Sequence, residues 1–156
     1  MIMSKKMYNW KEQLDIGDDG ERLFLNTYEG AKKSEDRKYD FSIGDTTIEL
    51  KTDNWWMKDT PNFFMEEFGN EEKQALGGPW RAVRDGIDFF VYLFIKDGVF
   101  FWFDPKRLKR LLEMRKKDMK VKRIWNHGYN ATGYLVDRNS IKHLVIQEDK
   151  IEFGNN

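Results

Sequence analysis

The sequence predicts an α/β protein in which helices flank a central mixed β-sheet. Apolar residues near the N-terminus have helical spacing, and the dipeptides Gly44-Asp45 and Asp97-Gly98 are typical of hairpin turns. Residues 88–95, DFFVYLFI, contain a continuous apolar run that starts at Phe89 and is typical of a strand covered on both faces. With 156 residues the chain has the length of one domain, so we expect a single domain over residues 1–156.

The N-terminal part contains a predicted helix and the first predicted hairpin. The helix falls within residues 17–30, where Gly30 is a plausible stop, and the polar residues 31–38 indicate a loop. Gly44-Asp45 then predicts a two-residue turn between two strands, and residues 62–68 predict a third strand. The apolar positions of the helix are Leu23, Phe24 and Tyr28.

The second half of the chain alternates helix and strand signals. Pro79 is well placed in the first turn of a helix through residues 80–84, and Asp104-Pro105 supplies an N-cap and a first-turn proline for another helix. Short strands are predicted near residues 132–136 and 144–147. We therefore expect a core of about residues 17–103, followed by a C-terminal basic helix and short strands in residues 104–156. The helix that follows Asp104-Pro105 would bury Leu108, Leu111 and Leu112.

The first hairpin places chemically distinct side chains on its two faces. In the register of a two-residue turn, Phe41 opposes Ile48 and Asp40 opposes Glu49, and a longer register that pairs Asp40 with Lys51 keeps the same faces. One face carries Tyr39, Phe41, Ile43, Ile48 and Leu50, and the other carries Asp40, Glu49 and Lys51.

Asp40 and Glu49 place two carboxylates opposite each other on one strand pair. Directly opposed side chains have Cβ atoms about 4.5–5.5 Å apart, and like charges at that distance are destabilising. The carboxylates must therefore spread into solvent, share a proton or bind a cation. A solvated face is one interpretation in a chain with 35% charged residues. The other is a Mg²⁺ site, because Mg²⁺ prefers one or two carboxylates together with waters and phosphate oxygens.

Asp40 followed by Glu49-Leu50-Lys51 on the next strand resembles the PD-(D/E)XK nuclease superfamily, which has the restriction-endonuclease-like fold. The Gly20-Glu21 pair on the preceding helix resembles the extra helical acid of the Holliday-junction-resolvase branch. The resemblance covers about residues 17–95 and implies an αβββαβ core. Tyr39 stands where the superfamily commonly has proline.

The resemblance implies a Mg²⁺-dependent DNA endonuclease, with Mn²⁺ able to substitute for Mg²⁺. Asp40, Glu49, the Leu50 carbonyl and Glu21 would hold the metal, directly or through water. Lys51 would position the attacking water or stabilise charge on the phosphate. The expected products carry a 5′-phosphate and a 3′-hydroxyl. The small size favours a structure-selective homodimer acting on branched DNA, of the kind found in phages and mobile elements. The alternative is a catalytically silent nucleic-acid-binding or protein-interaction module with the same fold.

Several residues outside the hairpin are candidates for DNA contact. Residues 106–123 contain ten Lys and Arg and two acids, although a solvated helix face explains the same composition. Trp55 and Trp56 could stack on bases, cover the site or form a dimer contact. Glu66 or Glu67 could add to the acidic cluster. The basic candidates for phosphate contact are Arg81, Arg84, Lys116, Lys117 and Lys120.

Composition limits the other function classes. The chain has no cysteine, and its two histidines, His127 and His143, have no partner at ligand spacing, which argues against a zinc site. We find no glycine loop of the kind that binds nucleotide phosphates. Residues 1–15 lack an apolar segment of signal-peptide length, so we expect a cytoplasmic protein without membrane contact, in the host cytoplasm if it is phage-encoded.

Charge is unevenly distributed along the chain although the net charge is zero. Residues 1–78 carry 11 basic and 17 acidic side chains, whereas residues 79–156 carry 16 and 10. Such asymmetry is consistent with an anionic partner for the C-terminal half, and it also arises in ordinary solvated surfaces.

Overall fold

The structure is a computed structural model that describes residues 16–126 and 128–152. Three α-helices and ten strands account for most of this part of the chain, and short 3₁₀ turns occupy Met57–Asp59, Lys116–Asp118 and Arg138–Leu144. The helices are α1 (Ile16–Thr27), α2 (Gly78–Arg84) and α3 (Pro105–Arg115). The strands are β1 (Ala31–Lys33), β2 (Phe41–Ile43), β3 (Thr46–Asp53), β4 (Asn62–Asn70), β5 (Ala75–Leu76), β6 (Phe89–Phe94), β7 (Val99–Phe103), β8 (Lys120–Asn126), β9 (Tyr129–Asp137) and β10 (Val145–Lys150).

The central sheet has six strands in the order β1-β2-β3-β6-β7-β10. Strands β3 and β6 are parallel, and the other neighbouring pairs are antiparallel. The chain passes from β3 to β6 through β4, β5 and α2, because parallel neighbours require a crossover connection. The predicted α/β class with a mixed central sheet is therefore confirmed.

The polar segment 31–38, predicted as a loop, supplies the strand beside the hairpin. Ala31–Lys33 pairs with β2, and its side chains are largely exposed. Only Ala31 packs against the core, and the two lysines are exposed, so the strand has no apolar alternation to reveal it.

The predicted strand at residues 62–68 exists as β4 but lies outside the central sheet. It belongs to a second, four-stranded antiparallel sheet in the order β5-β4-β9-β8. Phe63 and Met65 of β4 pack into the same core cluster as Tyr92 of β6. The second sheet thus packs against the first instead of extending it.

The two faces of the central sheet are covered by separate apolar clusters. Phe90, Tyr92 and Phe94 of β6 belong to one, whereas Val91 and Leu93 belong to the other. Alternation along β6 therefore accounts for its unbroken apolar run, and the prediction of a strand buried on both faces is confirmed. The first cluster includes side chains from β4, α2 and α3, and the second includes Leu23, Phe24 and Tyr28 of α1.

The predicted starts of α2 and α3 are confirmed. Pro79 lies in the first turn of α2, and the Asp104 carboxylate caps α3 by accepting a hydrogen bond from the Lys106 N–H at 3.0 Å. The basic segment 106–123 does not continue as a helix and loop. Helix α3 ends at Arg115, a 3₁₀ turn follows, and strand β8 begins at Lys120. Lys120 therefore lies on a strand.

None of the helices within residues 16–126 and 128–152 has the length and apolar character needed to cross a membrane.

Candidate active site

The β2–β3 hairpin has the shorter of the two registers that the sequence allowed. Phe41 pairs with Ile48 and Ile43 with Thr46, around a turn in which Gly44 has a φ of +59°, a conformation that glycine adopts without strain. Phe41 and Ile48 are fully buried on the α1 side of the sheet. Glu49, between Ile48 and Leu50, therefore points to the other side, towards α2.

Asp40 is held against β3 where the β2 ladder ends. Its backbone N–H donates to the Ile48 carbonyl at 3.0 Å, and its side-chain Oδ2 accepts from the Leu50 N–H at 2.8 Å. The carboxylate thus takes the place of a backbone acceptor at the end of the ladder. This fixes Asp40 beside Glu49.

Glu49 is only 6% exposed, and its environment disfavours ionisation. Its Oε1 is buried and has no hydrogen-bond donor among the described residues, whereas its Oε2 lies 3.5 Å from Arg81 Nη1. Burial, followed by the charge of Asp40, raises the pKa of Glu49 to about 8, and the positive charge of Arg81 only partly opposes this rise. When Glu49 is protonated, Asp40 can accept its proton in a hydrogen bond. The position of Glu49, buried beside the Asp40 carboxylate, therefore favours its protonated form.

Arg81 joins this pair from the crossover helix α2. Its Nε lies 3.7 Å from Asp85 Oδ2, and its Nη2 donates to the Arg37 carbonyl. Arg84 is directed elsewhere: its guanidinium binds Asp85 at 2.9 and 3.1 Å and is largely exposed. Of the two arginines that the sequence suggested, Arg81 is thus the one at the carboxylate pair.

Lys51 lies two residues beyond Glu49 on the same side of β3. Its Nζ is 5.6 Å from the centre of the Phe64 ring, on β4. The side chain lines a groove of about 340 Å³ that opens between β3 and the second sheet. Lys51 therefore connects the carboxylate face to this groove.

Glu21 is not brought together with Asp40 and Glu49. It lies on α1, which packs against the opposite face of the sheet, and its Oε2 lies 2.7 Å from Lys33 Nζ. Within the described residues, no group of three or more His, Asp or Glu side chains is placed to hold a metal ion. The neighbouring Gly20 has a structural explanation, because a Cβ there would lie 2.1 Å from Thr52 Oγ1.

Glu66 and Glu67 also lie apart from the pair. A Cβ at Gly77 would lie 2.3 Å from Glu66 Oε2, so the Gly77-Gly78 turn packs directly on Glu66. Glu67 accepts a hydrogen bond from the Tyr134 hydroxyl at 2.7 Å and lies 3.3 Å from Lys116 Nζ. The two glutamates thus support the start of α2 and the second sheet.

The remaining candidates for DNA contact differ in their surroundings. Lys116 is engaged by Glu67 and Glu113, each at 3.3 Å, whereas Lys117 and Lys120 are exposed. Trp55 is 57% exposed and lines the groove beside Lys51. Trp56 is also exposed, and the ammonium groups of Lys58 and Lys96 lie 5.6 and 5.8 Å from its ring centre.

Sequence reasoning missed the groove residues Phe64, Lys122 and Ile124. Lys122 and Ile124 occupy alternate positions of β8, and no strand was predicted there from the sequence, which indicated a basic segment over residues 106–123. The β-branched and aromatic residues in KVKRIWN were the available signal for a strand.

Comparison of the chain with protein-family models, curated proteins and solved structures finds no match.

Proposed function

We propose that this protein is a metal-dependent DNA endonuclease of the PD-(D/E)XK type, with its active site at Asp40, Glu49 and Lys51. The observation that carries the proposal is the buried Glu49 carboxyl group, which is adjacent to Asp40 and has an oxygen without a donor in the described structure. Burying an ionisable group beside a like charge is costly. Strongly perturbed carboxyl groups of this kind are concentrated at functional sites.

The topology of the central sheet supports the restriction-endonuclease-like fold. Helix α1 is followed by the antiparallel strands β1, β2 and β3, then by α2 and by β6, which is parallel to β3. This is an αβββαβ order if β4 and β5 are an insertion before the crossover helix. The insertion carries Phe64, which contacts Lys51, so it would contribute to the site.

The residues present fit a divalent cation. Asp40 and Glu49 would hold Mg²⁺ or Mn²⁺, with the Leu50 carbonyl as a further candidate, and the proton that Glu49 retains near neutral pH would be released when the metal binds. A bound metal would polarise the scissile phosphate and lower the pKa of a coordinated water. Glu21 is engaged with Lys33, so the proposal depends on Asp40 and Glu49.

The cationic side chains have separate roles in this proposal. Lys51 would stabilise the negative charge that develops on the phosphate, because it lies on the Glu49 side of β3 and opens into the groove. Arg81 is a third exposed and has a planar guanidinium, so it could leave Glu49 for a phosphate oxygen when the metal takes up the carboxylates.

The test is cleavage of labelled four-way junction, flap, duplex and single-stranded DNA in Mg²⁺, Mn²⁺ or EDTA. We expect metal-dependent cutting that Asp40→Asn, Glu49→Gln and Lys51→Ala each abolish. Glu148→Gln removes an exposed carboxylate from β10 and should cut like the wild type. Cutting that persists in Glu49→Gln and Asp40→Asn, or no cutting by the wild type, would refute the proposal.

A catalytically silent nucleic-acid-binding module is the second candidate, and the Arg81 guanidinium beside Glu49 favours it. When Glu49 ionises, this guanidinium at 3.5 Å balances part of its charge without a metal. Thermal unfolding with added Mg²⁺ or Mn²⁺ separates the two candidates. A nuclease site gains stability by linkage to the bound ion, whereas the silent module would unfold at the same temperature with and without metal.

A further inference from the structure

A groove runs from Lys51 into the space between β3 and the second sheet. We call it the Trp55 groove. Its volume is about 340 Å³. Apolar side chains contribute to its lining, and ammonium groups lie beside aromatic rings within it. Its lining includes Lys51, Trp55, Phe64, Lys122, Ile124 and Leu135.

Hydrogen bonds fix the backbone that carries Trp55. Asp53 Oδ1 accepts from the Trp55 N–H at 2.8 Å, and Asp53 Oδ2 accepts from the hydroxyl of the buried Tyr92. A few residues on, the Met57 N–H donates to Asp97 Oδ2 at 2.8 Å, and Arg138 donates to the Met57 carbonyl at 3.1 Å. An indole that is 57% exposed is thus presented on a restrained backbone, so binding to it costs little ordering of the chain.

Lysine ammonium groups lie near the two aromatic rings that line the groove. Lys122 Nζ lies 5.9 Å from the centre of the Trp55 ring, and Lys51 Nζ lies 5.6 Å from the centre of the Phe64 ring. Of the two acids that line the groove, Asp53 is engaged by Tyr92 and the Trp55 backbone, and Asp59 is exposed. Trp55 is the exposed ring of the groove, whereas Phe64 is buried. An exposed ring beside cationic side chains is a feature by which proteins bind single-stranded nucleic acid.

We propose that the Trp55 groove binds unpaired nucleotides of a DNA strand, next to the bond that is cut. A base would stack on Trp55, and Lys122 would contact the backbone phosphate beside it. In a continuous duplex the faces of the bases are already stacked, so only an unpaired base offers its face without an unstacking cost. The preferred substrate class would then be DNA with an unpaired segment, such as a flap or tailed duplex. The link to cutting rests on the proposed function, whereas the binding does not.

The test measures binding separately from cleavage. Fluorescence anisotropy in EDTA, with Glu49→Gln as the background, compares a blunt duplex, the same duplex with a single-stranded tail, and the tail alone. We expect the tailed duplex to bind more tightly than the blunt one. Trp55→Ala should weaken binding of the tailed DNA by about 5- to 150-fold, the loss of one base–aromatic stack, and Trp55→Phe should retain most of the affinity.

Two further variants sharpen the assignment. Trp125→Ala removes a tryptophan that is 68% exposed but lies on the other side of β8 from Lys122, so tailed and blunt DNA should bind as in the background protein. Lys122→Ala should reduce the slope of log K against log salt by about 0.7 for single-stranded DNA, the loss of one phosphate contact.

The inference is overturned if blunt and tailed duplexes bind equally, or if Trp55→Ala has no effect on tailed DNA or weakens both duplexes alike. Tighter binding of a single-stranded RNA of the same sequence would overturn the assignment to DNA. If the groove variants behave as expected but the protein cuts nothing with metal, the nuclease proposal fails and the groove stands. If the protein cuts DNA but Trp55→Ala leaves tailed-duplex affinity intact, the groove fails and the nuclease stands.

Discussion

The buried Glu49 carboxyl group should make the metal-free protein less stable as the pH rises. Its pKa increases from 4.5 in the unfolded chain to about 8 in the folded protein, through burial and the charge of Asp40. Between these values the folded state binds one more proton than the unfolded state, so unfolding releases a proton and higher pH favours it. The contribution of Glu49 to stability is therefore fully present below pH 4.5 and is lost as the pH rises to about 8.

The size of the effect follows from the difference between the two pKa values. Each pH unit in this window lowers the free energy of unfolding by up to about 1.4 kcal/mol, and the whole window by up to about 5 kcal/mol. Glu49→Gln resembles the protonated acid in shape but does not ionise. It should match the wild type in stability near pH 5 and exceed it by several kcal/mol at pH 8.

The assay is urea unfolding followed by circular dichroism, in EDTA, at intervals from pH 5 to pH 9. The difference in free energy of unfolding between wild type and Glu49→Gln isolates the titration of Glu49 from that of the other groups. Glu148→Gln, at an exposed position of β10, is the control for the loss of a carboxylate elsewhere. Asp40→Asn should move the midpoint of the wild-type decline to lower pH, because it removes the neighbouring charge. Parallel pH profiles for wild type and Glu49→Gln would refute the description of the site.

Two further predictions concern residues outside the carboxylate pair. Lys116→Met should lower the free energy of unfolding by about 1–3 kcal/mol, because it leaves the buried Glu67 without its ammonium partner. It should leave the salt slope of DNA binding unchanged. The control is Lys117→Met, at an exposed position, which should leave the free energy of unfolding unchanged. A salt slope that falls in Lys116→Met as much as in Lys117→Met would contradict this. Gly20→Ala should lower the free energy of unfolding, measured in urea, by about 1–3 kcal/mol, since the new Cβ would lie 2.1 Å from Thr52 Oγ1. A Gly20→Ala protein as stable as the wild type would show that α1 can move away from β3.

The parts of the fold that depend on neighbouring residues could be predicted from the sequence. The Gly44-Asp45 turn predicted the hairpin and left two registers open, and the structure has the shorter one. In either register, period-two alternation places Glu49 on the opposite face of β3 from Ile48. The apolar run at β6 and the Asp104 cap of α3 are likewise local signals.

Features that depend on a distant partner could not be predicted. Strand β1 has no apolar alternation because its two lysines are exposed at the sheet edge, and β4 looks the same in sequence whether it extends the central sheet or builds the second one. Glu21 has the right spacing for an extra acid, but whether it reaches the pair depends on the packing of α1, which places it beside Lys33. Likewise, nothing near Lys116 in the sequence indicates that Glu67 will be its partner.

The two buried glutamates of the described structure show how a structural carboxylate differs from a candidate active-site carboxylate. Glu67 is 9% exposed, accepts a hydrogen bond from Tyr134 and has the Lys116 ammonium 3.3 Å away, so its burial is compensated. Glu49 is 6% exposed, faces another carboxylate, has one oxygen without a donor among the described residues, and has a guanidinium only at 3.5 Å. Folding alone favours the first arrangement over the second, because Glu49 destabilises the folded protein whenever it ionises beside Asp40. The cation proposed at Asp40 and Glu49 would supply the compensation that Glu67 obtains from Lys116 and that one Glu49 oxygen lacks among the described residues.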